Sequence, residues 1–304
     1  MDRQKKAYLY AVLTVFLWST VASAFKITLR HLNFIQLLFY ASFVSMTVLF
    51  LIILCQGKLG ELRKFSKREY LASAILGFLN PFFYYTILFK AYSVLPAQEA
   101  QPLNWTWPIM LVLLSIVILK QPIGLLNVIA IFISFSGVFV ISTHGDVFSF
   151  QFTNLPGALL ALSSSIIWAL FWIYNIRDRR DEVMKLFLNF CFGFLYTLAV
   201  VSATGQFYWP PLPGLLGVIY VGLFEMGITF VSWLKALQLS KTTAQVSNLV
   251  YAAPFLSLFF IHFIVGEEIL LSTVIGLALI ISGVVLQQFA SSRRGNHEGP
   301  PGRT

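Results

Sequence analysis

An all-α integral membrane protein is the architecture to expect from this sequence, with ten transmembrane helices in two inverted five-helix repeats around a central cavity. Three features carry that expectation. The first is composition. Of the 304 residues, 58% are apolar or aromatic and only 11% are charged, with a mean hydropathy of +0.80. Soluble domains run at about 45–50% apolar and about 25% charged, so this chain lacks the charge to cover a soluble surface. The second is a series of uncharged runs near the ~20 residues needed to cross a bilayer. The third is an internal duplication.

The runs are Ala7–Phe25, Leu32–Gly57, Tyr70–Phe89, Ala100–Leu119, Gln121–Thr143, Val147–Ile176, Leu186–Phe224, Thr242–Gly266 and Ile269–Ser292. The run from Leu186 is too long for one span. Gly205 and the cluster Pro210, Pro211, Pro213 and Gly214 divide it into helices near 186–203 and 214–237, the second containing Glu225. The runs are apolar all round, which excludes the alternating pattern of barrel strands. Ala22-Ser23-Ala24 after a basic start imitates a signal-peptide cleavage site, but the run before it is long for a leader and the duplication needs this helix.

In a soluble protein the net charge of +9 would suit nucleic acid; here the basic residues cluster between apolar runs. With the N-terminus inside, 18 of the 21 Lys and Arg fall in inside segments, against Lys26, Arg30 and Lys90 outside. The positive-inside rule then sets both termini in the cytoplasm of a multi-pass cell-membrane protein. Cys55 and Cys191 lie singly in apolar stretches and read as packing residues.

Sliding the chain by 146 residues brings Pro108 onto Pro254, Gln121 onto Glu267 and Ser136-Gly137-Val138 onto Ser282-Gly283-Val284. A slide of 145 matches Gly77 with Gly222, Asn80 with Glu225 and Lys90-Ala91 with Lys235-Ala236; a slide of 150 matches Trp18 with Trp168. Helices 1–5 therefore correspond to helices 6–10. The expected units are residues 1–146 and 147–290, followed by a disordered tail over 291–304. Five is odd, so the two units sit in opposite orientations. Such inverted repeats build many secondary transporters, with substrate held near mid-bilayer between the halves.

The segment Glu99-Ala-Gln-Pro-Leu-Asn-Trp-Thr-Trp-Pro108 and the run Pro254…Gly266-Glu267-Glu268…Gly276…Gly283, on a five-plus-five frame, resemble the drug/metabolite transporter superfamily, EamA type. Leu103-Asn104-x-x-Trp107-Pro108 is similar to a stretch in bacterial aromatic amino acid exporters of that superfamily, with Trp105 where Tyr would be expected; the second half departs further. The resemblance covers residues 7 to 290. It implies a basket of ten helices around a central cavity, and export or exchange of amino acids, other metabolites or drugs.

Ionisable groups inside a span cost about 2.5–3.5 kcal/mol on insertion scales and usually face a cavity or a partner. Glu225 is the clearest case, read either as a coupling or amine-binding carboxylate or as a carboxyl paired with a neighbouring helix. Its mate Asn80 precedes Pro81, which removes a backbone bond from helix 3. Asn104 and Trp107 share a helix face and precede Pro108; Asn248, Tyr251 and Pro254 repeat the pattern. Trp18, Tyr85, Trp168, Trp172 and Trp233 lie inside spans, where they line a cavity or pack helices. Trp105, Tyr208 and Trp209 suit an interface belt. Glu99 reads as a solvated carboxylate at a helix N-terminus or a guard of the outer mouth, and Glu267 and Glu268 as a solvated turn. Lys90 and Lys235 read as snorkelling side chains, and His262 as a hydrogen-bonded packing residue.

The expected substrate-binding set is thus Trp18, Asn80, Tyr85, Asn104, Trp107, Trp168, Glu225, Trp233, Asn248 and Tyr251. Glu225 is the coupling candidate, and Pro81, Pro108 and Pro254 are the gating candidates. No nucleotide, hydrolase or metal motif is present, which argues against an ATP-driven pump or an enzyme and calls for no cofactor. The expected function is secondary transport, most simply export, of small organic metabolites such as amino acids by a monomer through alternating access. The alternatives are a cation-coupled drug exporter and a channel.

Overall fold

The computed structural model describes residues 2–119, 124–148, 154–240 and 248–295. Helices follow one another in the order α1 Arg3–Leu29, α2 Phe34–Cys55, α3 Lys67–Val94, α4 in two pieces Ala97–Asn104 and Trp107–Leu119, α5 Leu125–Ser142, α6 Leu155–Arg177, α7 Glu182–Ala203, α8 Leu212–Leu239, α9 Leu249–Val265 and α10 Leu271–Gly295. Eight are long and apolar enough to span a bilayer; α9 is shorter and α4 is broken.

Several helix starts are set by caps rather than by the edge of an apolar run. Asn33 Oδ1 accepts from the N–H groups of Ile35 and Gln36 at 3.1 and 3.0 Å, so α2 begins at Phe34. Ser66 and Glu69 form a capping box that starts α3 at Lys67, earlier than the hydropathy edge. Asn154 caps α6, which begins at Leu155 rather than Val147. Asp181 caps α7 at Glu182 through Val183 and Met184. Residues 291–295, expected in a disordered tail over 291–304, instead continue α10; residues 296–304 lie outside the described residues.

The expected single helix over Ala100–Leu119 starts at Ala97 and breaks after Asn104. Pro108 has no N–H, and its ring would clash with the carbonyl of Asn104, so the helix cannot run through this turn. The Thr106 hydroxyl takes up the Leu103 carbonyl at 2.7 Å. α9 repeats the device, opening as a tight 3₁₀ turn over Asn248–Tyr251 before Pro254.

The contacts exchange the halves in register. α1 packs on α8 and α9, while α6 packs on α3 and α4. α3 packs on α7, and α8 on α2; α2 meets α7, and α5 meets α10. Matching glycines permit the close crossings. A Cβ at Gly77 would lie 2.3 Å from the Asn189 carbonyl oxygen, and one at Gly222 would lie 2.7 Å from the Ala41 carbonyl oxygen. Each of these helices then widens into a π-turn, over Phe78–Phe83 in α3 and Gly222–Gly227 in α8. Such turns recur at functional sites because they re-aim one side chain. Here they carry Asn80 and Glu225.

Candidate functional site

The two π-turns flank a cavity of about 440 Å³ lined from both halves. α1, α3 and α4 line it from one repeat, and α6, α8 and α9 from the other, with Gln288 of α10 beside them. Six of the seven tryptophans face it: Trp18, Trp105, Trp107, Trp168, Trp172 and Trp233. Trp18 stands 5.7 Å from Trp233 and 6.3 Å from Phe230, ring centre to ring centre. Trp168 stands 4.7 Å from Tyr84 and 5.8 Å from the same Phe230. Phe230 is fully buried, so one fixed ring spaces the two tryptophans that the duplication pairs.

Glu225 reaches the cavity wall from the α8 π-turn. Its Oε1 accepts the Tyr85 hydroxyl of α3 at 3.0 Å. The neighbouring Tyr84 hydroxyl donates to Asn104 Oδ1 at 3.3 Å, and Asn104 Nδ2 donates to Ser164 Oγ of α6 at 2.9 Å. At the α4 break the Thr106 and Ser165 hydroxyl oxygens lie 3.1 Å apart. Polar links therefore cross between the repeats on both sides of the cavity.

Of the expected binding residues, Trp18, Asn104, Trp107, Trp168, Glu225, Trp233 and Tyr251 line the cavity. Tyr85 sits behind Glu225, fully buried. Asn80 does not reach the cavity. It has extended backbone angles inside the α3 π-turn, its peptide bond to Pro81 is cis, and neither polar atom of its buried amide has a hydrogen-bond partner among the described residues. Pro81 packs against Gly193 of α7. The side chain of Asn248 lies outside the described residues. Gln101, Tyr84, Tyr92, Phe25 and Gln288 line the cavity and were not singled out from sequence. Gln288 donates to the Tyr251 hydroxyl, tying α10 to α9. Trp105 faces the cavity rather than an interface belt, whereas Trp209 is exposed.

The helix ends remote from the N-terminus are clasped between the halves. Glu267, expected in a solvated turn, instead caps α4: its carboxylate accepts from the N–H groups of Ala97 at 2.8 Å and Gln98 at 3.1 Å. A carboxylate on a helix N-terminus is stabilised by the unpaired N–H groups there. Gln98 answers with Nε2 on the Glu268 carbonyl at 2.7 Å and Oε1 on the Leu270 N–H at 2.9 Å. Glu99 is buried rather than solvated, its Oε1 2.6 Å from His144 Nε2. Lys26 is held by the carbonyls of Tyr92 and Leu95. His262 is hydrogen-bonded, its Nδ1 3.0 Å from the Glu267 carbonyl oxygen. Lys90 lies over Phe34 and Lys235 over Tyr10, both away from the cavity wall.

The family model of the EamA-like transporters matches this chain twice in succession, over residues 5–143 and 155–287. The chain belongs to the EamA-like transporter family. It is similar to an uncharacterized transporter of Clostridium kluyveri, 24% identical over 96% of both chains. It is also similar to the aromatic amino acid exporter YddG of Ancylobacter novellus, 26% identical over 58% of this chain and 61% of that one. A solved crystal structure, 22% identical and covering 95% of this chain and 98% of its own, superposes with a TM-score of 0.64 and so shares the fold. For an EamA-family transporter, the cavity between the repeats is the candidate solute site.

Proposed function

We propose that this EamA-family chain is a secondary exporter of small organic metabolites of amino-acid size, working as a monomer by alternating access, with both termini on the cytoplasmic side of the cell membrane. The repeats that rock are residues 1–146 and 147–290. The supporting observation is the cavity itself. Corresponding helices of both halves line it, and one half is clasped on the other through Glu267 on the start of α4. Rocking the halves would release that clasp and close the opposite end, while Pro108 and Pro254 supply the helix breaks about which α4 and α9 bend.

A second element of the reading is coupling. Glu225 is the one ionisable carboxylate on the cavity wall among the described residues, so proton or cation coupling runs through it. Counterflow in proteoliposomes tests the whole. A carrier gives saturable uptake accelerated by solute on the opposite side. Flux linear in concentration with no acceleration is the signature of a channel and overturns the proposal. Glu225→Gln is expected to abolish net pH-driven uptake while retaining exchange.

A further inference from the structure

The cavity wall has an unusual charge pattern. It holds a single carboxylate, Glu225, and among its described residues no Lys, Arg or His. The neighbouring ammonium of Lys26 is tied to backbone carbonyls at 2.9 and 2.5 Å, and those of Lys90 and Lys235 lie over the rings of Phe34 and Tyr10 at 5.2 and 5.9 Å.

Several neutral donors are already committed. The Tyr85 hydroxyl is on Glu225, the Tyr84 hydroxyl on Asn104, Asn104 Nδ2 on Ser164 and Gln288 Nε2 on Tyr251. What remains for a guest is the second oxygen of Glu225, the Gln101 amide, the Tyr92 hydroxyl and the faces and indole N–H edges of the tryptophans. Glu225 is half-buried and lines the hollow, with Trp168 and Trp233 on the same wall.

A zwitterionic amino acid would bring its own carboxylate into this wall. That anion would meet neutral indole, amide and hydroxyl donors but no cation, and it would lie beside the Glu225 carboxyl. Uncompensated charge in a low-dielectric site is strongly unfavourable. A monocation reverses the sign. Its ammonium pairs with Glu225, and aromatic faces attract it by cation–π contact. Its ring stacks among the tryptophans. The volume of about 440 Å³ falls within the ~300–1,000 Å³ of small-molecule pockets.

We infer that the solute held between Glu225 and the tryptophan-lined wall is a monocationic aromatic amine, of the phenylethylammonium type, rather than the corresponding amino acid. This inference rests on the transporter reading and names its substrate class.

The test uses the full-length protein and three probes: phenylethylammonium, phenylalanine and phenylethanol. Binding is read by intrinsic tryptophan fluorescence in detergent and transport by counterflow in proteoliposomes. The amine is expected to bind at least about tenfold more tightly than phenylalanine or the alcohol, the factor given by roughly 1.4 kcal/mol. Glu225→Gln is expected to remove that preference, Glu225→Asp to restore part of it, and Trp168→Leu to weaken amine binding several-fold. The ranking on the unaltered protein needs no variant and so survives any folding defect. Phenylalanine binding as tightly as the amine, or an unchanged amine affinity in Glu225→Gln, overturns the inference. Phenylalanine counterflow without amine binding overturns the substrate class and leaves the transporter reading standing. Amine binding without counterflow does the reverse.

Discussion

The Tyr85 hydroxyl donates to Glu225 Oε1 at 3.0 Å, joining α3 of the first repeat to the π-turn of α8 in the second. Tyr85 is fully buried, so its ring cannot follow a moving carboxylate without repacking. The contact sets which oxygen of Glu225 faces the cavity. Tyr85→Phe keeps the ring and deletes the donor. The expected stability cost is about 1 kcal/mol, typical of one hydrogen bond. The expected functional effect is larger, a several-fold rise in the solute concentration for half-maximal counterflow. Unchanged counterflow would show that the carboxylate is positioned without the hydroxyl.

Asn104 is a crosspiece. Its oxygen accepts from Tyr84 and its nitrogen donates to Ser164, so truncation leaves the buried Tyr84 hydroxyl without its acceptor and takes one of two partners from Ser164. Asn104→Ala should cost about 1–3 kcal/mol, the range for leaving buried polar groups unpaired. A thermal melt in detergent measures it. Ser164→Ala alone should cost less, because Ser164 also donates to the Ala161 carbonyl and leaves only the Asn104 amide short of a partner.

The frame of ten helices and the pairing of the halves were legible because apolar length and a repeated order of Pro, Gly and Trp are linear features. Glu225 stood out because charge in a span is costly. Trp18 and Trp168 stood out because the duplication matched them. Which face of a helix meets the cavity was not legible, since these runs are apolar all round and carry no moment to orient them. Tyr84 and Tyr85 are adjacent, yet only Tyr84 lines the cavity. Asn80 was expected to mirror Glu225, but the two π-turns differ in backbone, and that of α3 keeps the amide out of the cavity. The burial of Glu99 and the capping role of Glu267 are not legible because their partners, His144 and the start of α4, are remote in sequence.

Glu267 ties the second half to the start of α4 through two backbone N–H groups. Glu267→Ala removes both acceptors and exposes the start of α4. Removal of an N-terminal capping acceptor costs about 0.5–2 kcal/mol, enough to shift a closed state toward open several-fold. In a background lacking Cys55 and Cys191, a cysteine replacing Leu88 on the cavity wall should react faster with a membrane-impermeant maleimide once Glu267 is removed. Acceleration is expected from the side remote from the termini alone. Equal rates with and without Glu267 would remove the clasp from the mechanism.

Lys58 and Asp181 tie the α2–α3 connection to the α6–α7 connection at 2.5 Å, on the face that carries the N-terminus. Burial on its own would raise the Asp181 carboxyl. The Lys58 hydrogen bond and the N–H groups of Met184 and Val183 outweigh it and hold the group below the ordinary carboxylate range. A carboxyl lowered in the folded state contributes stability that is complete above its unfolded value of about 4 and fades as pH falls through the lowered value. Both side chains are about one-third exposed, 36% and 30%, so solvent screens the pair to less than about 1 kcal/mol. Asp181→Asn should therefore melt slightly below the unaltered protein at pH 7, and the gap should narrow as pH falls below about 4. A gap that widens on acidification would contradict the assignment.

Gly77 and Gly222 are the matched points at which α3 meets α7 and α8 meets α2. A methyl at either would press on backbone carbonyl oxygen, at 2.3 Å from Asn189 and 2.7 Å from Ala41, and backbone yields less readily than side-chain tips. In an open helix, Gly→Ala would stabilise by up to about 1 kcal/mol. Here overpacking should reverse the sign and cost about 1–3 kcal/mol. Gly60, in the α2–α3 connection, has no atom within 4 Å of such a methyl and serves as the control. Thermal midpoints should fall for Gly77→Ala and Gly222→Ala and hold or rise for Gly60→Ala. Because the two sites are equivalent under the duplication, their losses should be of similar size. A loss at one site with none at the other would mean that the two crossings are not equivalent, and the symmetric packing of the repeats would have to be abandoned.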